Sequence, residues 1–332
     1  MNEYVLGIDT GATKSHLALF DTSGTFTDFC HWGPLNHELL PGSFTQFEDE
    51  LGDFILQTLS KNRISIDQVS YAVFGIAGAD TILQHKIISR IITNIGLKKF
   101  TLANDAFLGI PAGSPSGTGI CANNGTGCTL AGLNREGKML QIGGVGFISD
   151  DFGGGGFLGE RITSAVYREL FRKGEKTCLT DALFEKLEIS SKYDFIEKFY
   201  EKTDDKSFTL NSCSKMLFEA ASKDDPVAKD IIFTMAKSYA DGISCMIEEL
   251  CFNNTEELAI VFAGSVFVKG EDPLLLNSLK EMINQNNPQY RFLYNLLDVP
   301  PVAGAVIWAL NSIGERGTFY DKVCAQLKNK TA

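Results

Sequence analysis

The chain repeats one strand–turn–strand pattern, and this repeat constrains its fold more than any other feature of the sequence. The segment GIDTGATKSHLALFDTSG begins at Gly7 and aligns with ICANNGTGCTLAGLNREG, which begins at Ile120, at a constant offset of 113 residues. In each segment an apolar strand leads into a turn of small residues and then into a second strand with a hairpin exit. Two unrelated hairpins in one α/β protein are the alternative. The repeat predicts two similar halves.

The spacing of apolar residues around the first segment predicts the rest of that half. Strands are expected over residues 4–9, 16–21, 25–32, 69–74 and 100–103, and helices over 43–63 and 83–95. The resulting order βββαβαβα is that of a ribonuclease H-like unit, which is an α/β architecture. In the second half we expect a strand over 258–263 and helices over 160–171, 211–221, 226–250, 273–285, 302–310 and 320–328.

These elements predict two ribonuclease H-like domains with a cleft between them. The stretch PAGSPSG at 111–117 is rich in turn residues and is the expected boundary, with a hinge. The first domain is expected over residues 1–117 and a larger second domain, enlarged by helices, over 118–317. A closing helix within 318–332 is expected to join the first domain.

Composition and charge exclude several classes of function. The net charge of −11 argues against a nucleic-acid partner, which needs a basic face. The sequence has no run of about 18 apolar residues, so we expect no membrane partner. The N-terminus lacks the pattern of a secretion signal, and the eight cysteines are scattered without a C-x-x-C pair. These features predict a cytoplasmic protein with reduced thiols.

The two repeated turns have the composition of phosphate-binding loops. Small residues allow backbone N–H groups to approach phosphate oxygens closely, and hydroxyl side chains add donors. Asp9 ends the first strand and would hold hydrated Mg²⁺; a plain hairpin with Asp9 as a cap is the alternative. Facing turns from two similar halves would hold a polyphosphate such as ATP between them. The predicted nucleotide-binding residues in these turns are Asp9, Thr10, Gly11, Thr13, Lys14, Gly125, Thr126 and Gly127.

Two further strand ends carry candidate site residues. Asp105 follows a predicted strand in the segment LANDA, where its carboxylate could accept the proton of an attacking hydroxyl. A helix N-cap is the alternative role, because Asn and Asp both cap helices well. Gly264 and Ser265 end the apolar strand VFAGS, where these small residues would let adenosine lie flat against the backbone; a plain strand-to-helix turn is the alternative.

At these residues the chain resembles the BadF/BadG/BcrA/BcrD ATPase family of the sugar kinase, heat-shock chaperone and actin superfamily, and within it the N-acetylglucosamine kinase branch. The segments GIDTGATKS, ANDA, NGTGC, VFAGSVF and PVAGAVIWA are similar to the family's motifs and stand in the family's order. The resemblance implies an actin-like fold and an ATP- and Mg²⁺-dependent kinase for an amino sugar, with N-acetylglucosamine or N-acetylmuramic acid as the acceptor. A homodimer is an open possibility.

The resemblance also implies which residues bind the sugar. It makes Asp105 the catalytic base, and Asn36 and Asp151 contacts to the sugar hydroxyls or the N-acetyl group. The family's sugar loop corresponds here to residues 143–155, in which Val145 replaces a tryptophan and Phe152 replaces a glutamate. The glycine run at 153–156 predicts close backbone contact with a ligand, a loop that moves on closure, or a flexible surface loop. The expected sugar-binding residues are Asn36, Gly78, Asn104, Asp105, Gly144, Gly146 and Asp151.

Two other functions remain as alternatives at this point. An ATPase activator of a 2-hydroxyacyl-CoA dehydratase would need cysteines that hold a bridging iron–sulfur cluster, and no paired-cysteine motif is present. A non-enzymatic sugar sensor would carry a DNA-binding helix-turn-helix before the core, whereas the first strand is predicted to start at residue 4.

Overall fold

The structure, a computed structural model, describes residues 3–268, 273–314, 318–328 and 330. Parts of three predicted segments lie outside this range: residues 1 and 2 of the first domain, residues 269–272 and 315–317 of the second domain, and residues 329, 331 and 332 of the segment with the closing helix. The strands are β1 Tyr4–Thr10, β2 Ser15–Asp21, β3 Phe26–Trp32, β4 Val69–Ile76, β5 Phe100–Ala103, β6 Gly119–Asn124, β7 Cys128–Leu133, β8 Met139–Gly143, β9 Glu257–Ala263 and β10 Arg291–Leu296.

The helices surround these strands, and most of them belong to the second half. They are α1 Ser43–Lys61, α2 Ile82–Ile95, α3 Gly109–Gly113, α4 Gly154–Phe171, α5 Leu179–Leu187, α6 Phe195–Asp204, α7 Ser214–Ser222, α8 Pro226–Glu249, α9 Ser265–Val268, α10 Leu274–Asn286, α11 Val302–Ile313 and α12 Tyr320–Leu327. None of the helices within the described residues has both the length and the apolar character needed to cross a bilayer.

The two sheets have the same topology, as the repeat predicts. The first sheet has the order β3-β2-β1-β4-β5 and the second, read in the same direction, has the order β8-β7-β6-β9-β10. In each sheet the first three strands in sequence pair antiparallel, and the last two extend the sheet in parallel. The fold is therefore a pair of actin-like α/β units, and helices α4 to α8 enlarge the second.

The two hairpin exits match even in their hydrogen bonds. Asp21 accepts a hydrogen bond from the backbone N–H of Thr25 at 2.8 Å, and Asn134 accepts the same bond from Lys138 at 2.8 Å. In both cases the residue is four positions from its donor, and a glycine with positive φ precedes that donor. The weak sequence repeat therefore reflects a real structural repeat.

Helices α3 and α11 pack where the two sheets meet. Residues of α3 are buried, so the first part of the predicted boundary stretch is a core helix, and a turn at 114–118 follows it. Helix α11 packs against β1, where a Cβ on Gly7 would lie 2.7 Å from a Val306 methyl group. It also crosses α3 so closely that a Cβ on Gly304 would collide with the Leu108 carbonyl oxygen. The domain limits at 117 and 317 stay a prediction.

Local predictions in the second half were less complete. The glycine run is the start of α4, buried over Gly153–Gly155, so the idea of a flexible surface loop is wrong. Strands β8 and β10 and helices α5, α6 and α9 were not predicted. The predicted helix over 211–221 begins as a 3-10 turn, Leu210–Cys213, before α7.

Candidate nucleotide and sugar site

A cavity of about 220 Å³ lies between the two sheets and gathers residues from both. Asp9, Thr13 and Lys14 of the first turn line it, together with Asp105. The second sheet contributes Asn123, near the end of β6, and Ala263 at the end of β9. The carboxyl ends of the central strands of both sheets therefore open into one space, as ligand sites in α/β folds do.

The first turn joins β1 to β2 and offers unpaired polar groups. Thr10 is fully buried, and its hydroxyl has no hydrogen-bond partner in the described structure. Thr13 and Lys14 are exposed beside the cavity. The Gly11 carbonyl accepts a hydrogen bond from Leu35 N–H at 3.1 Å, and this bond ties the turn to the segment that contains Asn36.

The Asp9 carboxylate is suited to a hydrated Mg²⁺ ion. Its side chain is 15% exposed, and its nearest basic group is the His16 ring, with Nδ1 3.8 Å from Oδ2. Within the described residues no three His, Cys, Asp or Glu side chains form a metal cluster. Mg²⁺ commonly needs only one or two carboxylates when water and substrate phosphates complete its shell. The donor set therefore fits Mg²⁺ brought in with a nucleotide.

The second turn is held by the start of α4. Gly155 N–H donates to the Gly125 carbonyl at 2.9 Å, and Gly154 N–H donates to the Asn124 side chain at 2.7 Å. Gly154 has φ +82°, and a Cβ there would lie 2.5 Å from the Thr126 carbonyl oxygen. The glycine run thus brings backbone against backbone and fixes the turn, while Thr126 and Gly127 remain exposed.

The predicted adenosine segment adjoins the second turn. Gly264 has φ +89°, and a Cβ on it would collide with the backbone of Asn124. A Cβ on Gly125 would come within 4.0 Å of Gly264 Cα. Ser265 is exposed and begins α9. The structure therefore brings together Gly125 and Gly264, which are far apart in sequence.

Asp105 lies where β5 gives way to a 3-10 helix, Asp105–Leu108. The cap of this helix is Asn104, whose Oδ1 accepts a hydrogen bond from Ala106 N–H at 2.9 Å. Asp105 itself borders the cavity. Enclosure by the protein raises the pKa of the Asp105 carboxyl to about 7, and the negative charges of Asp9 and Asp80 add to this effect. A carboxyl group with this pKa can take up a proton near neutral pH.

The predicted sugar-binding residues Asn36 and Gly78 lie together beside the first turn. A Cβ on Gly78 would come 3.1 Å from Asn36 Oδ1. Ala77 N–H donates to the Thr10 carbonyl at 3.0 Å, so the loop after β4 is anchored to the same turn. Asn36 is nearly buried, and its Oδ1 accepts a hydrogen bond from Glu38 N–H at 2.9 Å.

The loop between β8 and α4 is organised by Asp151. One carboxylate oxygen accepts hydrogen bonds from Gly144 N–H at 3.0 Å and Gly146 N–H at 2.8 Å, and the other accepts one from the Ser149 hydroxyl at 2.8 Å. Asp151 therefore shapes the loop that carries the two predicted glycines. Val145 and Phe147 of this loop are 50% and 93% exposed.

Two polar residues that were not predicted connect these parts of the site. Asp80 Oδ1 accepts a hydrogen bond from Asn104 Nδ2 at 2.9 Å and another from Gln141 Nε2 at 2.6 Å. Asp80 lies in the loop after β4, and Gln141 lies on β8 of the other sheet. The position of Asp80 after a parallel strand was a usable signal, whereas Gln141 carried none, because its strand was not predicted.

Comparisons with known proteins identify the family of the chain and several of its relatives. The family model described as the BadF/BadG/BcrA/BcrD ATPase family matches residues 6–309. An N-acetylmuramic acid/N-acetylglucosamine kinase of Clostridium acetobutylicum is 27% identical over 292 residues, which are 88% of this chain and 94% of the relative. An N-acetyl-D-glucosamine kinase of Dictyostelium discoideum is 26% identical over 319 residues, 93% of this chain and 98% of the relative.

A solved structure shares the fold. It comes from Chromobacterium violaceum, is provisionally assigned as an N-acetylglucosamine kinase, and aligns with a TM-score of 0.64 at 17% identity. The alignment covers 92% of this chain and 98% of that structure.

Proposed function

The chain belongs to the BadF/BadG/BcrA/BcrD ATPase family, and from that membership we propose that it is an ATP-dependent kinase that phosphorylates an N-acetylated amino sugar. N-acetylglucosamine and N-acetylmuramic acid are the acceptors named for the bacterial relative. The observation that most supports this function is the position of Asp105, a carboxyl with a pKa of about 7 in the cavity that the first turn also lines.

In the proposed reaction Asp105 acts as the general base. Its deprotonated carboxylate accepts the proton of a sugar hydroxyl while the sugar oxygen forms a bond to the γ-phosphorus of ATP. The bond from that phosphorus to the bridging oxygen breaks, and ADP leaves. Such a base works best with a pKa near the working pH, and positioning supplies much of the remaining rate enhancement.

The two turns are proposed to hold the triphosphate of the substrate ATP. Thr10, Thr13 and the backbone of Gly11 would donate hydrogen bonds, and Lys14 would add a positive charge at the rim. The N–H groups of Thr126 and Gly127 would approach from the other side, with Gly264 and Ser265 beneath the adenosine. Mg²⁺, held through water by Asp9, would supply charge neutralisation when bound.

The proposal includes the location of the protein and its partners. We place the protein in the cytoplasm, with a small-molecule sugar as its partner and without nucleic acid or a membrane. The net charge of −11 supports the absence of a nucleic-acid partner. A homodimer remains one form in which it could act.

An ADP-release assay across a panel of sugars tests the function. The panel contains N-acetylglucosamine, N-acetylmuramic acid, glucosamine and glucose, each with and without Mg²⁺. We expect release that depends on the N-acetylated sugars and on Mg²⁺. ADP release that is independent of every sugar would contradict the proposal and favour the ATPase alternative.

The Asp105→Asn variant tests the assigned base. General-base catalysis contributes about 10²- to 10⁴-fold, so turnover should fall by that factor. Binding of a fluorescent ATP analogue should remain within about threefold of wild type, because the nucleotide contacts are assigned to the turns. An equal loss of binding and turnover would show that Asp105 is structural.

A further inference from the structure

Asp80 uses only one of its two carboxylate oxygens within the described structure. Oδ1 accepts both hydrogen bonds, from Asn104 Nδ2 at 2.9 Å and from Gln141 Nε2 at 2.6 Å. Asp80 is partly exposed, and none of the described residues donates a hydrogen bond to Oδ2. A carboxylate oxygen at the junction of two domains is therefore available as an acceptor.

The surroundings of Asp80 place this oxygen in the part of the site that is proposed to bind the sugar. Its partner Asn104 directly precedes Asp105, and its partner Gln141 lies beside the sugar loop, 3.1 Å from where a Cβ on Gly144 would be. The negative charge of Asp80 contributes to the raised pKa of the Asp105 carboxyl, so the two carboxyl groups are near each other. Asp80 thus lies between the proposed base and the loop held by Asp151.

The two hydrogen bonds alone do not explain why this residue is an aspartate. An asparagine would keep both of them, because both reach the same oxygen and an amide oxygen accepts two bonds. It would also remove a like charge that opposes ionisation of Asp105. An asparagine could not supply the second acceptor oxygen, because it has an NH₂ group at that position. We therefore infer that Oδ2 accepts a hydrogen bond from a ligand.

We propose that Asp80 binds the acceptor sugar, its Oδ2 accepting a hydrogen bond from a hydroxyl other than the one that is phosphorylated, while Gln141 fixes the carboxylate from the opposite domain. This inference rests on the proposed function, because it needs a hydroxylated acceptor. It gives the site a specificity-determining residue and makes the sugar position depend on both sheets. A sugar that lacks this hydroxyl would leave the charged Oδ2 atom without a partner, so the enzyme should strongly prefer sugars that carry the hydroxyl.

The Asp80→Asn variant isolates the free oxygen. It preserves the Oδ1 acceptor and replaces Oδ2 by an N–H₂ donor. At pH 8.5, well above the pKa of Asp105, we expect the KM for the sugar to rise by about 10- to 100-fold, the loss expected for a hydrogen bond to a charged group. The KM for ATP should stay within about threefold of wild type.

A matched control and a second variant keep this test independent of folding. Glu48→Gln makes the same chemical change in a surface carboxylate that accepts a hydrogen bond from Asn94 at 3.0 Å, and it should leave both KM values unchanged. Gln141→Ala should raise the KM for the sugar, and its effect should not add to that of Asp80→Asn because the two share one interaction. Thermal unfolding checks that each variant is folded.

Monodeoxy analogues of the accepted sugar identify the hydroxyl. With one analogue, the kcat/KM of the wild-type enzyme should fall to about the value that Asp80→Asn shows with the full sugar. The kcat/KM of Asp80→Asn should be the same with that analogue as with the full sugar. An unchanged sugar KM in Asp80→Asn, or equal losses for every analogue in both enzymes, would overturn the proposal.

Calorimetry of sugar binding without nucleotide separates this inference from the proposed function. If the wild type binds an N-acetylated sugar but transfers no phosphate, the kinase function is wrong, and weaker binding by Asp80→Asn still supports the role of Asp80. If the wild type binds no sugar, both proposals are wrong.

Discussion

Asp105→Asn should make the protein more stable at alkaline pH while it removes activity. The enclosed Asp105 carboxyl has a pKa of about 7, against an ordinary value of 3.8. Between these two values the native state keeps a proton that the unfolded chain has already lost. The free energy of unfolding therefore falls as the pH rises from about 4 to about 7, and it stays at the lower value above that range. A neutral asparagine does not carry this penalty.

The size of the effect follows from the pKa shift. About three pKa units correspond to about 4 kcal/mol at pH 8, where the penalty is complete. At pH 5.5 Asp105 is mostly protonated in the native state, and the penalty is only about 2 kcal/mol. The gain in stability of Asp105→Asn over wild type should therefore roughly double between the two pH values.

Denaturant unfolding at pH 5.5 and pH 8 measures this difference. The control is Asp49→Asn, the same substitution at an exposed position on α1, which should change stability by less than about 0.5 kcal/mol at both pH values. Equal stability of Asp105→Asn and wild type at pH 8 would refute the reasoning, as would a gain that does not depend on pH. Either result would mean that Asp105 ionises in the native protein without a penalty.

Three further predictions concern the same region. The kcat/KM of the wild type should rise about tenfold per pH unit up to pH 7 and then level off, because only ionised Asp105 accepts the proton; a rate independent of pH between 5.5 and 7 would contradict this. Gly154→Ala should raise the KM for ATP at least tenfold by displacing the second turn, whereas Gly156→Ala, where a Cβ makes only ordinary contacts, should not. Gly304→Ala should lower the free energy of unfolding by about 1 to 3 kcal/mol, and Gly33→Ala, with open space around it, by less than 1 kcal/mol in denaturant titrations.

The sequence predicted the fold well because the same local pattern occurs twice. Apolar strands that end in small-residue turns specify both sheets, and their order follows from the connections. Strand β10, RFLYNL, was missed although four of its six residues are apolar, because it lies at a sheet edge with every residue exposed or half-buried, and its place depends on pairing with β9. Of the three roles predicted for the glycine run, the flexible surface loop is wrong, because the backbone of residues 126 and 127 packs against Gly154 and leaves no room for a Cβ there.

The candidate site was predictable where its residues follow strand ends. Asp9, Asp105 and Gly264 each end or follow a strand with a strong apolar pattern, and the structure brings two of them into one cavity. The bond between Asp80 and Gln141 joins residues 61 positions apart in the chain. A contact of this kind depends on how two domains are placed against each other, and no local pattern encodes that placement.

Helices α3 and α11 cross at Gly304, and the absence of a Cβ at this glycine bears on the position of Asp105. Helix α3 continues directly from the 3-10 turn that begins at Asp105, so a displacement of the helix would also displace the turn. At position 304 even the smallest side chain would push α3 away from its neighbour. The position of the proposed base, Asp105, therefore depends on the absence of a side chain at Gly304 on the neighbouring helix.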